Sequence, residues 1–230
     1  MWVCYAQKSD DESYIGIPDK LLGECTEILE SRPNMLPLTF TVKIGTKQVL
    51  IGMTEFVQGN NLYLPNHILE LLQVNPSDKV KLQTYRREVP VLKTLHMKPL
   101  DWQFYDESNH TYNIEKALKF FPTLNVGAVL PVKFGNLIIR MQVVKLMDVS
   151  NIAIDSARIS HTQEVNLEFE SNDILFSQYE QKIKERNHIA KMDSWNRAWE
   201  YIQQGRPVFG MSDDLRKFIR EKSIMSKIVK

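Results

Sequence analysis

Residues 50–74 read LIGMTEFVQGNNLYLPNHILELLQV, and the order of signals inside them sets the class of fold. A strand pattern, expected over Val49 to Val57, runs into Gln58-Gly59-Asn60-Asn61, residues that tolerate positive φ and let the chain reverse tightly. Leu62-Tyr63-Leu64 reads as a short strand, and Pro65 suits a helix N-terminus, where its missing N–H costs nothing. Ile68, Leu69, Leu71 and Leu72 then form one apolar helix face, closed by Asn75-Pro76-Ser77-Asp78, and Val80, Leu82 and Thr84 alternate as a further strand. Nothing in this unit has the spacing of a catalytic group.

Upstream, the acidic run Asp10-Asp11-Glu12 reads as a solvated leader. Pro18 opens an expected helix over 19–29, with Leu21, Leu22, Cys25, Ile28 and Leu29 on one side. Pro33, Asn34 and Pro37 break it, and LTFTVKIG alternates as a half-buried strand before the Gly45-Thr46-Lys47 turn. Downstream, Pro90, Pro99 and the polar 106–109 loop mark a subdomain boundary near residue 95. A second helix is expected over about 114–121, then two strands joined by Gly135-Asn136, a strand over 151–159 and a run over 164–169. HILELLQVNPSDKVKLQ and KALKFFPTLNVGAVLPV share a helix–corner–strand layout, a structural solution used twice.

Composition narrows the function classes. A 230-residue chain that is 43% hydrophobic and 25% charged can bury a core without a metal or disulfide staple. With 29 basic against 28 acidic residues, no global charge draws it to nucleic acid or an anionic membrane. Cys4 and Cys25 are too far apart for a redox pair or a zinc knuckle, so reduced thiols and a cytosolic or nuclear home are expected. No segment reaches the about 18 apolar residues of a membrane helix, and MWVCYAQKSDDESY lacks the pattern of a signal peptide.

The chemistry-bearing residues form no constellation. His67, His96, His110, His161 and His188 are scattered and lack metal-ligand spacing, so no metal and no cofactor is expected. There is no nucleophile elbow, Walker loop or GxGxxG, and the glycines stand singly, which points away from an enzyme. Tyr85-Arg86-Arg87 and Lys133-Phe134 could line single-stranded nucleic acid, but ordinary strand patterning explains them better.

From Ser171 the chain turns polar and helical, with 12 basic and 8 acidic residues against a balance of −3 in the rest. One helix is expected over 173–204, capped by Gly205 and stopped by Pro207. Another starts with Ser212 as N-cap and Asp213-Asp214 in its first turn. Trp195 and Trp199, at i and i+4, share a helix face and call for a surface to cover, in the same chain or in a partner groove.

The ordered set IPDKLLGECTEIL, MLPLTFTV, IGMTEFV, GNNLYLPNHILELLQV and EKALKFFPTLNVGAVLPV resembles the ubiquitin fusion degradation protein family over Ile15 to Phe169. Gly52, Glu55 and Phe56 match its Gly-x-x-Glu-Phe strand, Tyr63, Leu64 and Pro65 its Tyr-Leu-Pro helix start, and Leu124 to Gly127 its corner. The resemblance implies a mixed β fold with α: a double-psi β-barrel at 1–95 and a smaller α+β subdomain at 96–170, to which the residues themselves add a helical tail at 171–230, unlike the extended tails of that family. It further implies a non-catalytic adaptor that binds ubiquitin or ubiquitin chains. The implied partners are the valosin-containing AAA ATPase and a nuclear-protein-localisation-type subunit, in proteasomal and endoplasmic-reticulum-associated degradation. Asn75-Pro76-Ser77-Asp78 stands where that family has a glycine-containing turn. The family's ATPase-binding box, Phe-x-Gly-x-Gly-x-x-Leu, has a partial counterpart in Phe209, Gly210 and Leu215 at different spacing, which also reads as a loop entering a helix. A scaffold of the same fold, docking a different partner through its tail, is the rival expectation.

Overall fold

The protein's structure is a computed structural model that describes residues 1–11, 13–32, 38–160 and 164–228. Glu12 of the expected leader, the breakers Pro33, Asn34 and Pro37, and His161 lie outside the described residues. The chain divides into two compact units, Met1–Phe176 and Ser177–Lys230.

The first unit begins with seven strands: β1 (Trp2–Lys8), β2 (Gly16–Pro18), β3 (Thr39–Ile44), β4 (Lys47–Gly52), β5 (Glu55–Val57), β6 (Asn61–Leu64) and β7 (Lys79–Thr84). They form one curled half-barrel sheet in the order β4-β3-β7-β1-β6-β2-β5. Helices α1 (Leu22–Ser31) and α2 (Asn66–Leu72) belong to it, and its interior includes Ile17, Leu21, Phe40, Ile51, Leu62, Leu64 and Leu82. Burying each such side chain contributes about 1.5–3 kcal/mol.

The opening stretch folds differently from the hairpin its turn residues suggest. Gly59 does take φ +92° at the reversal, but β5 and β6 do not pair with each other. β2 lies between them, parallel to β5 and antiparallel to β6. The same device recurs one element later: β6 and β7 flank β1, which runs parallel to β6 and antiparallel to β7. Twice, then, a strand from the N-terminal segment is inserted between two consecutive strands.

β1 is the element the sequence pattern concealed. Its inward residues are Cys4 and Ala6, small side chains that give little hydropathy signal, yet both are fully buried. Pro18 closes β2 rather than opening a helix, and a 3-10 turn over Asp19–Leu21 precedes α1. Leu22, expected on the apolar side, is 51% exposed in the first turn of α1, while Leu21, Cys25 and Ile28 are buried. α2 ends at Gln73, which takes the left-handed conformation with φ 57° and ψ 48°, before the Asn75–Asp78 turn is reached.

The remainder of the first unit is built on β8 (Leu92–Pro99), α3 (His110–Leu118), β9 (Thr123–Asn125), β10 (Val129–Phe134), β11 (Leu137–Asp148), β12 (Ala153–Ile154), β13 (Ser156–Arg158) and β14 (Asn166–Phe169). β10, β11, β8 and β14 form a sheet in that order, with β12 on β11, while β13 pairs with β9. Residue 95 falls inside β8, and Leu92 already belongs to the second core with Met97, Ile114, Leu130 and Phe134. α3 spans His110–Leu118, so Phe121 lies past its end although it is buried in the same core. The strand expected over 151–159 splits at Asp155 into β12 and β13, and Gly135 makes the expected tight turn with φ +57°.

The two cores are joined along the free edge of β4. Asn125 Nδ2 donates to Leu50 O at 2.8 Å, and its Oδ1 accepts from Leu50 N–H at 3.0 Å. Thr123 Oγ1 accepts from Gly52 N–H at 3.0 Å. Side chains of β9 thus satisfy an exposed strand edge that would otherwise template non-native pairing. A Cβ on Gly52 would stand 2.7 Å from the Pro122 ring, so only glycine admits this approach.

The second unit comprises most of α4 (Asp173–Gln203) and all of α5 (Asp213–Ile228). Gly205, with φ +71°, donates to Ile202 O, and Arg206 N–H to Tyr201 O, which closes α4 where the sequence places its cap. Ser212 Oγ accepts from Leu215 N–H at 3.3 Å, the expected N-cap of α5.

Candidate protein-docking site

The family-motif residues are taken up by folding. Gly52 abuts Pro122, Phe56 packs against the first core, Leu64 is fully buried and Pro65 is the N-cap of α2. Glu55 accepts a hydrogen bond from Tyr14 Oη at 2.5 Å, and that bond pushes the Tyr14 phenol up to about 12. These positions hold the half-barrel together and leave recognition to other residues.

The half-barrel's exposed large apolar side chains include Trp2, Val3 and Tyr5, all on β1. Because Cys4 and Ala6 point inward, the strand pleat sends Val3 and Tyr5 to the outer face, where they are 55% and 41% exposed. β7 sets a cation beside each: Val3 is opposite Lys81 and Tyr5 opposite Lys79, whose Nζ lies 5.9 Å from the Tyr5 ring centroid. Lys20 Nζ lies 5.3 Å from the Trp2 ring, within cation–π range. Trp2 Nε1 donates to Glu24 Oε2 at 3.4 Å, and Glu24 also pairs with Arg86 at 3.3 Å. Burial pushes the Glu24 carboxyl up, but hydrogen bonds from Arg86 and Trp2 help to outweigh it and leave it below its ordinary value. The result is a strip of Val3 and Tyr5 on the outer face of the strand, rimmed by Lys79 and Lys81, with Trp2 at the strand's start on the other side of the pleat, against Lys20 and Glu24. It suits adhesion to another protein's surface and offers no nucleophile beside a base. Its residues were legible only as the alternation W-V-C-Y-A, at the N-terminal end of a stretch that otherwise reads as polar leader.

The tail residues singled out by sequence separate into two groups. Trp195 and Phe218 bring α4 and α5 together with ring centroids 5.3 Å apart, and Lys191 Nζ sits 4.5 Å from the Trp195 ring while pairing with Asp214 at 3.3 Å. Trp199 and Leu215 are half-buried in the same unit, and Ala198 between the tryptophans is buried. Phe209 and Gly210 lie instead in the loop between the helices, Phe209 87% exposed and Gly210 at φ +69°.

The four described histidines each meet a different neighbour or solvent. His67 is buried edge-on to Phe121, His96 Nδ1 is 3.2 Å from Glu168, His110 Nε2 is 2.6 Å from Phe104 O, and His188 is exposed. Among the described residues, no group of three or more His, Cys, Asp or Glu is placed to hold a metal ion. Cys4 and Cys25 are free and buried, and burial pushes both thiols up, Cys25 to about 11. Lys133 points outward while Phe134 fills the second core, so the pair cannot form a base-stacking platform. Among the described residues, no helix is long and apolar enough to cross a membrane. Neither the protein-family models nor the curated proteins contain a match to this chain.

Proposed function

We propose that this protein is a non-catalytic adaptor of the ubiquitin fusion degradation type. In this reading it binds ubiquitin or ubiquitylated clients and presents them to the valosin-containing AAA ATPase for unfolding and proteasomal degradation. The observation that carries the reading is the double strand insertion, β2 between β5 and β6 and β1 between β6 and β7. We read these insertions as the ψ-type crossings of a double-psi barrel; β2, β5, β6 and β7 lie within the stretch that carries the family resemblance, and β1 precedes it. Recognition runs through the outward β1 strip of Val3 and Tyr5 meeting an apolar patch of ubiquitin. A single small patch binds weakly, and chains bind more tightly because successive units raise the effective concentration.

Titration of the isotope-labelled chain with mono-ubiquitin and with ubiquitin chains tests this by NMR. Amide shifts at residues 2–5 are expected with both, tighter with chains. Tyr5→Ala lowers chain affinity about fivefold while leaving the fold intact. Silence of all half-barrel resonances at about 1 mM ubiquitin sinks the reading.

The exposure of Phe209 favours a second reading, a scaffold of the same fold whose tail docks a different partner without ubiquitin. Co-purification with the full-length chain separates the two. An AAA ATPase and a nuclear-protein-localisation-type subunit accompany the chain under the first. A Phe209→Ala-sensitive partner unrelated to ubiquitin accompanies it under the second.

A further inference from the structure

The second core carries a surface of its own, away from the β1 strip. A groove of about 820 Å³ runs beside β10, between the α3 side and the β10–β11 turn. Its apolar lining includes Ala117, Phe120, Pro131 and Ile138, and two of these are strongly exposed, Phe120 at 59% and Ile138 at 67%. Exposed apolar side chains that share one concavity mark a binding site more often than scattered ones do.

Charge decides what fits. The charged side chains that line the groove are Asp11, Lys116 and Lys133. Asp11 is occupied locally, accepting from Ser13 N–H at 2.7 Å and from Ser13 Oγ at 2.6 Å. Lys116 and Lys133 form no ion pair among the described residues. Among the described residues the groove therefore presents two lysines without an ion-pair partner against the single Asp11 carboxylate, a net positive lining around an apolar floor.

Backbone geometry decides the form of the occupant. β10 is the outer strand of its sheet, the position at which a peptide strand could be added. Arg140 O accepts from Leu100 N–H on the β8 side, so its cross-strand partner Pro131 directs its own backbone outward to the free edge. Proline has no N–H there, and Lys133, the next outward position, is charged; both discourage strand addition. Side-chain insertion from a helix needs none of those backbone bonds.

We propose that this groove docks a short amphipathic helix of a partner protein, its apolar side chains seated against Phe120 and Ile138 and its flanking Asp or Glu residues paired with Lys116 and Lys133. The proposal stands independently of ubiquitin binding, which the β1 strip carries.

The test uses the full-length chain and three synthetic peptides of helical propensity: one with leucines at i, i+4 and i+7 flanked by glutamates, one with lysines replacing the glutamates, and one with alanines replacing the leucines. Binding is read by fluorescence anisotropy and by amide shifts. The acidic leucine peptide is expected to shift Lys116, Phe120, Lys133 and Ile138, and to bind about tenfold tighter than its lysine counterpart at low salt. The exposed double substitution K116E/K133E reverses that preference, and Phe120→Ala weakens the acidic peptide without changing the far-ultraviolet spectrum. Equal affinity for the acidic and basic peptides overturns the proposal, as does indifference to the leucines. So does self-association through Ile138 that competes with the peptide, which makes the occupant a second copy. Groove shifts caused by mono-ubiquitin reassign the groove to ubiquitin and likewise overturn it. Peptide binding with a silent ubiquitin titration sustains it and removes the ubiquitin reading alone.

Discussion

At residue resolution, two side chains report how conformation and charge are held. Gln73 occupies the left-handed position that ends α2, where a Cβ costs about 1 kcal/mol and glycine is at ease. Gln73→Gly is expected to stabilise the fold by about 0.5–1 kcal/mol, a rise of about 1–4 °C in Tm, since relief of strain outweighs the added unfolded-state entropy. A fall in Tm would remove this account of the helix end. Asp101 receives Arg140 Nη2 at 2.7 Å and Arg140 N–H at 2.8 Å, and the side-chain bond holds its carboxyl below the ordinary carboxylate range. A carboxyl with a lowered folded value stabilises the fold above its unfolded value near 4, and the contribution disappears as pH falls through the folded value. Asp101→Asn is therefore expected to cost about 1 kcal/mol at pH 7, since the pair is largely solvent-screened. That difference closes below about pH 4 in urea titrations across pH. A gap unchanged at low pH assigns the loss to shape rather than charge.

Among elements, the α4–α5 pair shows how tertiary contact uses apolar residues that a helix alone leaves uncovered. α5 carries four basic residues beyond its acidic start by residue 222, Arg216, Lys217, Arg220 and Lys222, and such a polar helix is marginal in isolation. The ring contact between Trp195 and Phe218, flanked by the Lys191–Asp214 pair, supplies the tertiary term. Phe218→Ala is expected to raise amide exchange across α5 by about tenfold or more while residues 2–8 keep their protection. Uniform loss of protection throughout the chain would contradict that local role.

Across the first unit, stability depends on the joint between its two cores. Asn125 is 3% exposed and meets both backbone groups of Leu50, and Gly52 leaves no room for a methyl against Pro122. Asn125→Ala leaves the Leu50 N–H unpaired and Leu50 O with only the Thr123 hydroxyl at 3.3 Å, and is expected to cost about 1–3 kcal/mol; Gly52→Ala costs about 1–3 kcal/mol through overpacking. Because the two substitutions act on one joint, their effects in chemical denaturation should not add. Strict additivity would show that Asn125 and Gly52 act separately.

Local chemistry was readable before any coordinates. The Gly59 and Gly135 turns, the Gly205 cap, the Ser212 N-cap, the Pro65 helix start and the alternation of β7 each depend on neighbours within a few residues, and each lies where the residue types place it, whereas β3, expected half-buried, is buried on both faces from Thr39 to Val42. Strand order was not readable, because hydrogen-bond partners along a sheet edge are chosen by residues far apart in the chain. Nothing near Gln58–Asn61 says that β2 will part β5 from β6, and nothing near Cys4 or Ala6 says that β1 will sit at the centre of the sheet. The same holds for the candidate surfaces: Trp195 announced itself by spacing, whereas the β1 strip and the groove beside β10 exist only once distant strands have turned their apolar faces inward and left Val3, Tyr5, Phe120 and Ile138 outside.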